Sequence, residues 1–387
     1  MSSLIVDICE IKEIKPHPNA DRLEIAVVKG WECCVKKDEF KPTDKIIYFP
    51  VDTVLPQSVS DKFGVTSYLS KGRIRAARLR GFPSCGLIMP CNDEIFSYGV
   101  NKYIPKSMKN PYPIGTNVAD TFGCIKWEPA PKLGIQKGQQ EREHPLFVRY
   151  TDIENIKHFP DILQEGEEVV ITEKIHGTNS RVGLLNGQFV AGSHNTQRKD
   201  PDKSMSFKEF FKDIFHSFKR WRTTGKWKRS NNVTSNNDTY WMPLKNESLK
   251  TMMKELSNVY SNAQQVVVFG EIFGKGVQDL NYGRQGQPDY RVFDVYINGK
   301  YLDYPVMLDW CNRYKIPTVP LLYRGPWNKD LIIQYTSGNS VESLLEQIRE
   351  GFVVKPITER RLYNGDRVIY KSISFEYLER KNPTEDH

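Results

Sequence analysis

The chain is 387 residues long, 39% hydrophobic and 12% aromatic, which supplies apolar material for two folded cores and excludes a disordered scaffold. Lys and Arg number 55 against 47 Asp and Glu, a net charge of +8 that suits a polyanionic partner and equally fits a basic protein without one. Seven scattered cysteines without a CxxC pair exclude a zinc ribbon, and no stretch reaches the ~20 apolar residues of a membrane span or shows an export pattern, so an intracellular monomer, cytoplasmic or nuclear, with reduced thiols is expected.

Residues 1–125 read as short β-rich runs separated by polar turns such as Pro16-His17-Pro18-Asn19-Ala20-Asp21. The runs cover residues 4–11, 23–28, 45–51, 73–79 and 86–90, and their close spacing predicts a small all-β barrel or sandwich. Residues 126–146 are polar and carry three prolines without periodicity, which marks a linker. From Phe147 to residue 387, strands interleave with helical stretches such as residues 340–351, predicting an α+β domain on antiparallel strands. Within it, an insert at about 203–240 carries Phe207, Phe210, Phe211, Ile214, Phe215, Phe218 and Trp221 at helical spacing. Lys226, Lys228 and Arg229, interleaved with tryptophan beyond that helix, suit phosphate contact and base stacking, or form a solvated helix end.

The run Ile171-Thr172-Glu173-Lys174-Ile175-His176-Gly177-Thr178-Asn179 is a β segment ending in a lysine and a tight polar turn, which alone is most simply an exposed loop lysine. Four further blocks follow in order. Phe269-Gly270-Glu271 and Glu350-Gly351-Phe352 put carboxylates beside apolar strands, Tyr290 to Val295 offers Phe293 and Asp294, and Arg367 to Lys371 ends in a cation. Two glutamates and two lysines at strand ends make a plausible phosphate and metal site.

These blocks resemble motifs I, Ia, III, IIIa, IV and V of the covalent lysine nucleotidyltransferases, the superfamily of polynucleotide ligases and mRNA capping enzymes. The wording EKIHGTN, FGEIFG and EGFVVKP is nearest to the RNA ligase 2 class. The resemblance implies an ATP-grasp-like, antiparallel-sheet nucleotidyltransferase domain that uses ATP and Mg²⁺ or Mn²⁺. It implies that Lys174 is the nucleophile, that Glu271 and Glu350 are metal-site carboxylates, and that Lys371 contacts the α-phosphate. Glu173, His176 and Gly177 would belong to the nucleotide-binding motif turn, Asn179 and Arg198 would handle ribose, phosphate or the RNA end, and Phe293 would stack on adenine. Core packing for Phe293 and a surface ion pair for Arg198 are the plain alternatives. Motif V in that class commonly reads Lys-x-Lys, whereas Lys371-Ser372-Ile373 lacks the second lysine, leaving Lys355 or Arg367 as substitutes.

The first 125 residues resemble the OB-fold tRNA-binding module of some synthetases and one group of RNA ligases. An OB barrel offers a groove for RNA, with Lys71, Arg73, Arg75, Arg78 and Arg80 as candidate contacts, or as ordinary outward cations. DNA ligases and capping enzymes carry their OB domain after motif V, and the residues after Lys371 are too few for one. An OB module in front resembles the RNA ligase 5 family and implies nick sealing in RNA repair. A capping-type guanylyltransferase and a non-catalytic RNA-binding protein remain as alternatives.

Overall fold

In the N-terminal barrel, strand β1 (Asp7–Pro16) is long enough to serve two neighbours. It pairs antiparallel with β2 (Leu23–Val28) along its second half and with β4 (Lys45–Phe49) along its first, bending at a bulge between Ile11 and Glu13. With β3 (Trp31–Lys36) on β2 and β8 (Leu87–Pro90) on β4, the sheet runs β3-β2-β1-β4-β8. Its apolar side encloses Ile8, Ile47, Phe49, Val59, Phe96 and Phe122. Two short ribbons complete it, β5 (Thr53–Val54) with β9 (Ile125–Lys126), and β6 (Ala77–Leu79) with β7 (Phe82–Ser84).

Two sequence expectations change here. The strand expected over 73–79 survives only as β6, because Arg80 (φ 49°) and Gly81 (φ 86°) form a tight left-handed hairpin turn immediately after it. Strand β3, with its buried and half-buried alternation in WECCVK, was not among the expected runs.

The computed structural model describes residues 4–101, 112–128, 140–201 and 238–380, and its contacts divide the chain into two units. One comprises Met1–Ala130, Asp152–Ile175 and Pro320–His387, so the barrel shares a unit with two segments of the expected 147–387 domain. The other comprises Pro131–Thr151 and His176–Val319. The expected linker start also shifts, since Lys126 pairs with Thr53 and the Trp127 amide donates to the Asp52 carbonyl. The expected helix at 203–229, with Lys226, Lys228 and Arg229, lies outside the described residues.

In the first unit the second sheet comprises β10 (Glu154–Asn155), β11 (Glu168–Lys174), β18 (Leu321–Pro326), β19 (Gly351–Pro356) and β20 (Tyr370–Ile373), ordered β10-β20-β19-β11-β18. All its pairs are antiparallel except β10 with β20. Val169, Ile171, Phe352, Val354 and Tyr370 point to one face at period two and pack with Trp327 and Leu331. In the second unit β12 (Thr178–Leu185), β13 (Gln188–Ser193), β14 (Gln197–Arg198), β15 (Gln265–Phe273), β16 (Asp289–Ile297) and β17 (Lys300–Tyr301) form a sheet ordered β14-β13-β12-β15-β16-β17. Helix Glu247–Val259, capped by the Asn246 side chain, lays Leu249, Met252, Met253 and Leu256 in the core.

The helix expected over 340–351 is instead an irregular loop leading into β19. The backbone amides of its first residues are engaged by a side chain from β11, described below, in place of a helical ladder. Among the described residues no helix is long and apolar enough to cross a membrane, and all seven cysteines are free.

Candidate active site

Lys174 is the last residue of β11, where register places it opposite Gly351 of β19. Its Nζ lies 2.5 Å from Oε1 of Glu350, the residue immediately before β19. The lysine side chain is only 10% exposed and the glutamate wholly buried, so this is an ion pair in a low-dielectric setting. Burial pushes the Glu350 carboxyl above its ordinary range, opposed by the charges of Lys174, Lys371 and Arg380. Lys371 is buried on β20, opposite Val353; Lys174 ends β11, Glu350 leads into β19, and these three strands are neighbours in the sheet. Gly351 makes the approach possible, because a Cβ there would lie 1.9 Å from the Ser372 carbonyl oxygen.

Glu173 points to the other face of β11, with 1% exposure, and its carboxylate closes the 340–350 loop. It accepts hydrogen bonds from Ser340 Oγ, the Val341 amide at 2.7 Å and the Glu342 amide at 3.2 Å. Burial raises its pKa against these hydrogen bonds and the charge of Arg349. The loop is therefore tied at its start to Glu173 and at its end to Lys174 through Glu350. A side-chain contact from Glu173 to nucleotide is not what this geometry offers; the residue holds the loop that presents Glu350.

Lys355 and Arg367 do not stand in for the missing motif V lysine. Lys355 Nζ lies 3.3 Å from Glu359 Oε1, and Arg367 Nε lies 2.7 Å from Glu359 Oε2, so both buried cations share one carboxylate. Lys355 also pairs with Val170, four residues before Lys174 and so ~13 Å along the strand. The place of the absent lysine is taken by Ile373, which is buried in the sheet opposite Gly351.

In the second unit the turn after Lys174 is braced by its own surroundings. The His176 amide donates to the Tyr282 hydroxyl at 2.6 Å, His176 Nε2 lies 2.7 Å from Asp279 Oδ1, and Gln278 Nε2 donates to the Gly177 carbonyl at 3.1 Å. Gly177 admits no side chain, because a Cβ would sit 2.2 Å from the Ile272 carbonyl oxygen. Asn179 on β12 stands opposite Glu271 on β15, and its buried Oδ1 has no hydrogen-bond partner among the described residues. Arg198 is 3% exposed, which rules out a solvated surface pair; it lies 4.9 Å over the Tyr240 ring, and among the described residues its Nε and Nη1 have no partners. A buried guanidinium with unmatched donors is suited to an anionic group from a ligand. Phe293 is the extra residue of a bulge, since Phe269 pairs with Asp294 and Gly270 with Val292. That bulge re-aims a half-buried ring, which touches Tyr150 edge-on at 4.9 Å.

Of the barrel cations, Arg73 is buried, with Nε and Nη2 at 2.9 and 2.6 Å from Asp52 Oδ1. Its expected role as a surface RNA contact is thereby corrected, because that charge is already matched within the fold. Arg75 donates to the Arg380 carbonyl and Arg78 to the Glu379 carboxylate, while Arg80 stays exposed at its hairpin turn.

A family model described as RNA ligase matches residues 167–373, more than half the chain. The chain belongs to the RNA ligase family. A second model, for an OB-fold domain, matches residues 5–91 of the ligase. Among solved structures, a variant of the Naegleria gruberi RNA ligase with ATP and Mn is 22% identical to this ligase, covers 97% of it and 98% of its own chain, and superposes with TM-score 0.67. The same Naegleria gruberi ligase with PPi gives 22%, 98% of both chains and 0.65. A further variant with AMP and Mn gives 23%, 97% and 98%, and 0.66. The shared fold, an OB barrel followed by a ligase domain, is thus that of the sequence expectation.

Residues that sequence reasoning left out of this ligase's site are partners rather than motif members. Ser340, Asp279, Tyr282, Tyr240 and Glu359 each fix a motif residue from a distant segment, and a single sequence carries no signal for such pairings. Among the described residues no three His, Cys, Asp or Glu side chains gather into a metal cage. Mg²⁺ and Mn²⁺ take oxygen donors, the kind that the Glu271 and Glu350 carboxylates carry.

Proposed function

We propose that this chain is an ATP-dependent RNA ligase that joins an RNA 3'-OH to a 5'-phosphate through lysyl-AMP and RNA-adenylate intermediates. The observation that carries the reading is the Lys174–Glu350 pair, a motif lysine at a strand end held at 2.5 Å by a wholly buried carboxylate.

Lys174 Nζ, as the uncharged amine, attacks the α-phosphorus of ATP; a P–N bond forms and pyrophosphate leaves. Glu350 and Glu271 are the carboxylates assigned to a divalent ion, Mg²⁺ or Mn²⁺, which when bound supplies positive charge that disfavours the ammonium form of Lys174 and offsets the triphosphate. Lys371 steadies the α-phosphate, Phe293 stacks on adenine, and Asn179 and Arg198 bind ribose or phosphate oxygens. His176 and Gly177 shape the turn that follows the nucleophile. The AMP next passes to the RNA 5'-phosphate, and the 3'-OH attacks that phosphate and expels AMP. Each step displaces one phosphoryl oxygen or nitrogen, so orientation and charge placement carry the catalysis. Support from relatives is the Naegleria gruberi RNA ligase, solved with ATP and Mn and with AMP and Mn.

Sealing of nicks in RNA repair is the role we assign, on the OB module preceding the ligase domain. Incubation with labelled ATP or GTP tests the nucleotide, and label from GTP alone would make the protein a capping-type enzyme. Nicked duplexes with RNA or DNA at the 3'-OH side test the substrate; the reading expects sealing only where that strand ends in RNA.

A further inference from the structure

Beside the barrel sheet, β5, β9 and the 70–75 segment enclose a cavity of about 520 Å³. That volume lies within the roughly 300–1,000 Å³ of small-ligand pockets. Among the described residues, Lys71, Arg73, Arg75 and Lys126 line it with one carboxylate, Glu128, and with Trp127 and Ile125 as its apolar wall. Ile125, paired with Val54 across the ribbon, is 65% exposed and presents apolar surface at the cavity. Arg73 is fixed beneath by Asp52 and lies 3.4 Å over the centre of the Trp127 ring, so the indole is held as a rigid platform. Lys71, Arg75 and Lys126 add positive charge to the wall.

We propose that this cavity holds one unpaired nucleotide of the RNA strand, with the base against Trp127 and Ile125 and the flanking phosphates on Lys71 and Lys126. The proposal rests on the ligase reading above and adds a subsite to it. An aromatic floor beside cations is the combination that retains single strands without base selection, because every base offers a π-face and every linkage a charge. The cavity lies on the two-stranded β5–β9 ribbon, outside the five-stranded sheet of the barrel.

The test uses the full chain and a 5'-phosphorylated single-stranded oligoribonucleotide, with affinity read by fluorescence anisotropy across a salt series without ATP. The Lys71→Ala/Lys126→Ala double variant is expected to bind at least tenfold more weakly, with the logarithmic salt slope shallower by about 1.4, two contacts at ~0.7 each. Trp127→Ala is expected to lose roughly tenfold, and Trp127→Phe to keep most of the affinity. Lysyl-AMP formation from ATP alone is followed in parallel and should be unaffected in the double variant. Wild-type RNA affinity and salt slope in the folded double variant overturn the proposal, as does competition by free ATP at the cavity in place of RNA. Absence of adenylate in the wild-type protein would defeat the ligase reading separately, because RNA binding is scored without it.

Discussion

Glu173→Gln is the substitution that best separates a positioning role from a nucleotide contact. The side chain keeps its volume, but one oxygen becomes an N–H donor inside a site that already presents Ser340 Oγ and the amides of Val341 and Glu342. A hydrogen bond to a charged acceptor contributes about 1.5–3 kcal/mol, and a buried donor left facing another donor costs about 1–3 kcal/mol, so a loss of about 3 kcal/mol is expected. Because the same loop carries Glu350 to Lys174, that loss falls on the geometry of the nucleophile as well as on stability. Single-turnover lysyl-AMP formation at saturating ATP should slow by roughly 100-fold, at about tenfold per 1.4 kcal/mol for the share that reaches the loop. The melting temperature should drop by several degrees. Ser340→Ala removes one neutral donor and should fall between wild type and Glu173→Gln in both measurements. Wild-type rate and melting temperature in Glu173→Gln would refute the claim that this carboxylate organises the loop.

Further outcomes follow from the same geometry. Glu350→Ala should reduce metal-dependent sealing by at least about 100-fold in a gel assay on nicked RNA, and sealing at the wild-type rate would remove Glu350 from the site. His158 packs against Trp31 and Tyr48, its buried Nδ1 has no partner among the described residues, and burial first, then nearby lysines, lower its pKa to about 3. The unfolded imidazole takes a proton near 6.5 and the folded one does not until about 3, so stability present above pH 6.5 is lost as pH falls through that window. Between pH 7 and pH 5 this amounts to about 2 kcal/mol, and thermal melts of His158→Phe should lose that part of the pH dependence. Replacing Lys226, Lys228 and Arg229 with alanine should weaken RNA binding and flatten its salt dependence; an unchanged slope would leave that segment as a solvated appendage.

The motif residues were legible because each sits on or beside a strand whose period-two pattern is local. Lys174, Glu271 and Lys371 could be placed on strands without knowing what those strands touch. What stayed hidden depends on contacts between distant segments. Nothing local announces that Arg73 is neutralised by Asp52, or that Glu359 takes up both Lys355 and Arg367. The 340–350 loop shows the same limit from the other side. Its sequence is rich in helix formers, yet the buried carboxylate of Glu173 captures two of its amides and propensity yields to that tertiary bond. Phe293 is a middle case, since the strand was readable and the bulge that turns its ring was not.

The most direct measurement is intact and peptide mass spectrometry of the purified protein after incubation with ATP and Mn²⁺. An acid-labile adenylate on Lys174, absent in a folded Lys174→Ala variant, is the predicted result. An unmodified Lys174, or adenylate that persists in that variant, would contradict the account at its first chemical step.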